Sequence, residues 1–443
     1  MPSTLVGPLA KRSALTRLQA PAPQTWSGGL TKGPKPNVVG GRAGRTPPVL
    51  PTLDQRLRIL QLVSSLSPHH TKECLRHSQP LFVDQALKRY EPLYGQKGSW
   101  RDTGGLFGWG GSGIKKSAKA GHGFDGSAGD LESHAGTVKR DLSGQKHKYF
   151  FAINLYNSFD VIPDIFATLF RVAAILGYHN VYVSIYENGS TDQTKALLKI
   201  FDAIAGTAGL RVEIRTSMRT RGAFNHRIEY LAEVRNAALV PLHELRESKQ
   251  EVFDSIVFMN DILPCVDDLL ELIWQSRRQN AGITCASDYM FHEDIVRLSF
   301  WPFSNSLHAF ADKRSHLPQG SPVFYDNWVA RDINGTALEN APFEQVFHHP
   351  ESSRRFQDHL PLQVQSCWNG IAVLDPAPIY AQPHARFRMA NLAAGECSAS
   401  ECSLICNDYT NAGYGRIMMV PRVKLAYDNV RPLLSLSARA CHG

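Results

Sequence analysis

The residues best suited to chemistry in this chain fall in short polar clusters, each placed directly after an apolar run. Glu187-Asn188-Gly189-Ser190-Thr191-Asp192-Gln193-Thr194 sets two carboxylates about a glycine. An acid there can accept hydrogen bonds from a ribose or a base, Gly189 permits a tight turn, and Ser190 or Thr191 can cap a following helix. Taken alone, the cluster reads better as a plain strand-turn-helix with Asp192 complementing the helix dipole. Arg227 and Arg235, the latter followed by Asn236, lie a little over two helical turns apart, and a helical Arg can reach a pyrophosphate. A solvated face paired with Glu229 or Glu233 is an equal reading for either one. The apolar run 256–259 ends in Asn260-Asp261, where a divalent cation can bridge a carboxylate to a nucleoside diphosphate. Asp267 and Asp268 suit the first turn of a helix instead.

These clusters need a frame that brings them to one edge, and the apolar patterning supplies it. From position 148 the chain alternates strands (149–155, 180–186, 211–215, 255–259 and 283–286) with helices (from Pro163 to Gly177, then 194–205, 227–239 and 266–274). Strand-helix-strand repetition predicts right-handed crossovers and a mainly parallel sheet covered on both faces. Ligands then bind beyond the carboxyl ends of the strands, so the polar residues after each strand, Ser287-Asp288 included, should line one crevice.

The rest of the chain reads differently. Residues 1–51 are a disordered basic leader, 52–100 a helical lead-in with a second short helix over 83–90, and 101–147 a glycine-rich linker or insertion. Residues 148–430 form the main domain and 431–443 a tail. Seven of the eight net positive charges sit in the leader, which holds seven basic residues and no acidic one, leaving 41 basic against 40 acidic residues elsewhere. A balanced body without dense basic runs argues against nucleic acid as a partner. None of the eight cysteines forms a C-x-x-C pair, and Cys397, Cys402 and Cys406 are expected to be structural, as disulfides in a luminal protein or as buried thiols otherwise. No apolar stretch is long enough to span a membrane, and the start has the look of an atypical or incomplete targeting region.

The order strand-ENGSTD-helix, R-N-x-A-L on a helix, then apolar strand-Asn-Asp resembles the nucleotide-sugar half of GT-A glycosyltransferases. Six blocks sharpen it: 150–155 (FFAINL), 183–190 (VSIYENGS), 325–332 (YDNWVARD), 367–370 (CWNG), 400–404 (SECSL) and 420–423 (VPRV). Together they are similar to the fungal, cryptococcal-type capsular α-1,3-mannosyltransferases, glycosyltransferase family 69. The resemblance implies a GT-A fold, GDP-mannose as donor, Mn2+ or Mg2+ as cofactor, retention of configuration, an oligosaccharide acceptor, and residence in the Golgi lumen as a type II membrane protein. The usual Asp-x-Asp is here Met259-Asn260-Asp261, with one carboxylate, and the membrane anchor is missing.

By match to these blocks, Glu187, Asn188, Ser190, Asp192, Arg227, Arg235 and Asn236 are placed at the donor and Asp261 at the metal. Asp288, Asp326 and Asp332 are candidates for catalysis at the sugar end. Trp328 offers a face on which an acceptor sugar can stack, unless it is core with Arg331–Asp332 an ordinary ion pair. Trp368-Asn369 offers a second such face, or is a strand-end turn. Two sequons, at Asn188 and Asn334, carry opposite expectations, since a glycan on Asn188 would block the donor crevice. A catalytically idle GT-A-like scaffold is the alternative reading, and a nucleotidyltransferase ranks below both.

Overall fold

A computed structural model describes residues 38–39, 51–66, 89–94, 147–218, 226–291 and 322–427. The leader apart from 38–39 and 51, nearly all of the glycine-rich stretch, the tail, and most of the expected 83–90 helix lie outside the described residues. In chain order the strands are β1 (Val38–Val39), β2 (Tyr149–Leu155), β3 (Val181–Asn188), β4 (Arg211–Ser217), β5 (Ser255–Met259), β6 (Ile283–Phe291), β7 (Pro322–Phe324), β8 (Leu362–Gln363), β9 (Ile371–Leu374) and β10 (Ile417–Leu425). The helices are α1 (Leu53–Ser65), α2 (Glu91–Tyr94), α3 (Ile162–Leu176), α4 (Thr194–Ala208), α5 (Arg227–Lys249), α6 (Val266–Arg278), α7 (Pro350–Gln357), α8 (Ala377–Tyr380) and α9 (Glu401–Asn411).

The sheet runs β1-β4-β3-β2-β5-β9-β6-β10-β8, with β7 paired to β6. Strands β4, β3, β2 and β5 are parallel neighbours, β6 and β10 are parallel to each other, and β9 is antiparallel to both β5 and β6. This is the expected plan of a mainly parallel sheet with helices on both faces. Strand β2 shows why: its run YFFAINL is apolar at every pleat but one, so it can be covered twice. Tyr149, Phe151, Ile153 and Leu155 enter one core with α3, α4 and α6, while Phe150 and Ala152 enter the other with α5 and α9.

Several elements differ from their sequence expectation for identifiable reasons. Helix α3 is buried nearly all round because the lead-in helix α1 lays Ile59, Leu60 and Val63 into the same core. Helix α4 passes Gly206 and stops at Gly209, whose left-handed φ of 74° suits glycine. Helix α5 continues through Pro241 to Lys249; around the proline, Asn154 and Ser184 donate to the Val234 and Ala238 carbonyls and tie the helix to β2 and β3. Pro92 lies inside the single turn of α2, where a missing N–H costs nothing. Strand β10 carries Pro421, and its pairing with β6 shifts register between Met419 and Lys424, so the proline falls at an irregularity rather than in a regular ladder.

A disulfide joins Cys285 on β6 to Cys367 just before β9, and Cys265 is also disulfide-bonded. Cys402 and Cys406 are buried thiols on α9 and Cys397 is exposed.

Candidate active site

Beyond the carboxyl ends of β2 and β3, two turns lock together. Asn157, at a left-handed φ of 49°, accepts from the Thr191 amide at 2.8 Å, and its own amide donates to Ser190 Oγ at 2.9 Å. The Ser158 amide donates to Thr194 Oγ1, the Phe159 amide to Asp192, and Asp192 also accepts from the Thr194 amide that opens α4. Glu187 is fully buried. It accepts from the Ser190 amide, and Lys195 stands 3.9 Å from its other oxygen. Glu187 and Asn188 are the last residues of β3 rather than part of the loop, and the Asn188 amide donates to the Tyr230 hydroxyl at 3.3 Å. This is a rigid rim, with backbone shaped by its own polar side chains.

Arg235, on the inner side of α5, forms the hub beneath the next strand end. Its Nε donates to Glu401 on α9 at 3.0 Å and a terminal nitrogen donates to Asn260 Oδ1 at 3.1 Å. Its guanidinium lies 4.6 Å from the Trp368 ring centre and within 6 Å of those of Phe258 and Phe387. Trp368 Nε1 also donates to Asn260 Oδ1, at 3.3 Å. With both donors on its oxygen, Asn260 is turned inward, which leaves Asp261 as the residue of the pair presented to the crevice. Burial pushes the Asp261 carboxyl up to about 6, against the downward pull of a backbone hydrogen bond, Arg235 and the Ser158 hydroxyl.

Asp288, within β6, is fully buried and accepts three hydrogen bonds. Asn369 Nδ2 donates to one oxygen at 2.7 Å, the Asp326 amide to the same oxygen at 3.2 Å, and the Tyr427 hydroxyl to the other at 2.9 Å. The turn 368–370 that delivers Asn369 needs a left-handed backbone at Asn369 (52°) and Gly370 (82°). A Cβ on Gly370 would meet Ile262 at 3.1 Å. Asp326 is partly exposed along the crevice yet closely surrounded by protein. Burial first, and the Asp288 charge second, push its carboxyl up to about 7.

The arrangement fits a divalent cation in one specific sense. Asp261 is a single carboxylate that burial holds above its usual range, and a hard cation shared with a diphosphate needs only one or two protein carboxylates. Asn260, with its oxygen already taken, is not part of that donor set.

The region that holds these groups, residues 148–408, matches the family model described as Cryptococcal mannosyltransferase 1. The chain belongs to the cryptococcal mannosyltransferase family. It is 33% identical over 307 residues to the α-1,3-mannosyltransferase CMT1 of Cryptococcus neoformans, an alignment covering 66% of this chain and 59% of that protein. Among solved structures, a mannosyltransferase from Pyrobaculum calidifontis in complex with GDP-Man and Mn2+ is 11% identical with a TM-score of 0.36, covering 66% of this chain and 60% of that one. S. aureus TarS 1-349 is 13% identical with a TM-score of 0.33, covering 63% and 60%. Both likenesses are too low to bear on the site.

Within this member of the cryptococcal mannosyltransferase family, the residues singled out from sequence divide into three groups. Glu187, Ser190 and Asp192 shape the rim, Asp261, Asp288 and Asp326 share the crevice, and Arg227 meets Trp328, its guanidinium 5.6 Å from the ring. Trp328 is 47% exposed, so the part of its ring that Arg227 does not cover faces solvent. Trp328→Ala is expected to raise KM for an acceptor about tenfold, the cost of one lost stacking contact, with kcat and thermal midpoint little changed. Steady-state kinetics over a range of acceptor concentrations checks this.

Three expectations are corrected. Trp368 is 1% exposed and enclosed by Phe258, Phe387 and Arg235, so it is packing and offers no sugar platform. Arg235 and Asn236 are committed to protein: Arg235 as above, and Asn236 through a two-way clamp on the Phe387 backbone, at 2.8 and 3.0 Å. Neither is free to hold a diphosphate directly. Asp332 leaves the crevice altogether. The turn after Asp326 descends the sheet face, where Val329 and Ala330 are core, and Asp332 ends up accepting the Ser352 hydroxyl of α7 at 2.6 Å. Ser352 in turn lines a cavity of about 490 Å3 with Gln279 and Arg416, which precede β6 and β10 at the opposite sheet edge.

Glu401 and Tyr427 are the partners of these groups that residue patterns did not single out. Ser400, whose hydroxyl accepts from the Cys402 amide, was a readable helix-start signal next to Glu401, but nothing local indicated that Glu401 would face Arg235.

Proposed function

We propose that this chain transfers mannose from GDP-mannose to a mannoside of a fungal surface or capsule glycan, forming an α-1,3 linkage with retention, with Mn2+ or Mg2+ as cofactor. One observation carries the reading: the match to the mannosyltransferase family spans Asp261, Asp288 and Asp326 together with the β2–β3 rim. The chain spans 59% of its curated relative, so activity, donor and acceptor all belong to this proposal.

In this reading the nucleotide lies along the rim formed by Asn157, Ser190 and Asp192, and its diphosphate reaches Asp261. Bound there, the cation supplies charge stabilisation to the departing GDP. The chain's own part is to hold Asp261 in place through the inward-turned Asn260, and to keep the buried positive charge of Arg235 beneath the same turn. Trp328 and Arg227 form the open wall towards the acceptor.

The Golgi lumen is the proposed compartment. Disulfides at Cys285–Cys367 and Cys265 favour an oxidising one, and no helix among the described residues is long and apolar enough to cross a membrane. The sequons agree: Asn334 is exposed, whereas Asn188 is buried against Tyr230. Chain secreted from a fungal host is expected to carry a glycan on Asn334 and none on Asn188, read by mass spectrometry of glycosidase-treated peptides.

The deciding experiment supplies purified chain with a panel of nucleotide sugars and a mannoside acceptor, with manganese or with chelator. Metal-dependent turnover of GDP-mannose alone is expected. Absence of both turnover and donor binding would favour an idle scaffold instead.

A further inference from the structure

The three donors on Asp288 differ from ordinary core hydrogen bonds in their target. They come from separate parts of the chain, Asn369 before β9, Asp326 after β7 and Tyr427 after β10, and converge on one fully buried carboxylate. Burial pushes the Asp288 carboxyl up, and the three donors oppose that push by favouring its ionised form. Asp326 differs: it accepts from the Val329 amide at 3.2 Å and is also favoured in its ionised form by the Asn369 backbone N–H, two donors against three, while it retains contact with solvent and faces the Asp288 charge. Two carboxyl groups so close do not both ionise readily, and the better-solvated partner with fewer donors is where the proton resides and exchanges.

We propose that Tyr427 and Asn369 are positioning residues that act through Asp288, fixing its negative charge so that Asp326 is the carboxyl that exchanges a proton with the crevice. This rests on the transferase reading above. In the transfer, the acceptor O–H bond breaks and its oxygen bonds to the anomeric carbon. The bond from that carbon to GDP breaks, GDP leaves with the electron pair, and the proton passes to ionised Asp326. Tyr427 lies outside the stretch matched to the family.

The other groups around Asp326 are Arg235 from α5, Glu401 and Cys402 from α9, and Tyr325 from its own loop, with Arg227 and Asp261 around Tyr325. Of these, Arg235 opposes the upward push on Asp326 and leaves burial and Asp288 dominant. Proton acceptance requires the ionised form, so activity should rise as pH increases through about 7.

The test follows Asp326 with and without turnover. In metal-free protein, carboxyl 13C spectra of the parent and of Asp326→Asn assign the titration step near neutrality to Asp326. Tyr427→Phe keeps the ring, which packs edge-on against Tyr325 at 5.4 Å, and removes the hydroxyl. The proton should then move onto Asp288 and the Asp326 step should move towards acid by about one pH unit or more, with the rising limb of kcat moving alongside it. Asp288→Asn should shift the step in the same direction, and adding Tyr427→Phe to it should move nothing further. A step that stays in place in Asp288→Asn or in folded Tyr427→Phe overturns the proposal, because a packing role would lower activity at every pH without moving it. If the parent turns over no nucleotide sugar, the transferase reading fails, while the 13C titration still decides the pairing.

Discussion

Replacement of Arg235 by methionine is expected to lower the stability of the chain by about 3–5 kcal/mol, the range for stranding one member of a buried ion pair. Glu401 is 1% exposed, and without Arg235 its remaining partners are the neighbouring Ser400 hydroxyl and Cys402 thiol. Methionine can fill much of the space among Phe258, Trp368 and Phe387, so the loss is mainly electrostatic rather than a cavity. Because a whole domain is stabilised by only about 5–15 kcal/mol, the thermal midpoint should fall by many degrees. Adding Glu401→Gln should restore part of it, since the stranded charge is then gone. Recovery measured by thermal unfolding of the two variants separates this account from simple loss of packing, which the second substitution would not repair. The folded fraction should also be less active, as both Asp261 and Asp326 lose the nearby cation that favours their ionised forms.

Asp261→Asn is expected to cost about 100-fold or more in kcat, on the scale of removing a principal electrostatic contact to developing charge, while leaving the thermal midpoint near that of the parent. The position has one carboxylate where two are common, and the adjacent Asn260 cannot take over. Asn260 Oδ1 is occupied by Arg235 and Trp368 Nε1. Retained nucleotide binding without turnover, measured by titration calorimetry with GDP in the presence of manganese, would place the loss in the transfer step. Burial holds the parent's carboxyl near 6, so metal-supported activity should fall as pH drops through that value, where protons compete with the cation for the Asp261 carboxylate. The variant should lack this dependence. Full activity in Asp261→Asn would remove Asp261 from the site.

The fold was legible where local pattern determines burial. Strands such as β2 and β5 are apolar on both faces, and the polar residues after β2, β3 and β5 do meet at one end of the sheet. The strands that escaped notice were β1, β7, β8 and β9, each of only two to four residues, and β10, disguised by Pro421. Of the acids singled out, Asp261 and Asp288 were recognisable because each follows an apolar run, and Asp326 because it falls in a block that resembles the family. What makes them a site was not, because Arg235 meets Glu401 across 166 residues and Asp288 meets Tyr427 across 139, and no spacing encodes such contacts. The roles of Arg235, Asn236 and Trp368 were misread for the same reason. A cation, an amide and an indole after apolar runs suit ligand binding and buried bracing equally well, and only the tertiary partner distinguishes the two.

The strand order has a consequence for how the molecule is made. The parallel neighbours β4, β3, β2 and β5 all come from residues 149–259, whereas β6, β9 and β10 are separated by long stretches and close only with the final strand. As the chain emerges from the ribosome, the half that carries the β2–β3 rim can assemble while the other half is still being synthesised. The carboxylate pair is then the last part of the crevice to form, and Asp288 waits for its hydroxyl donor until Tyr427 arrives.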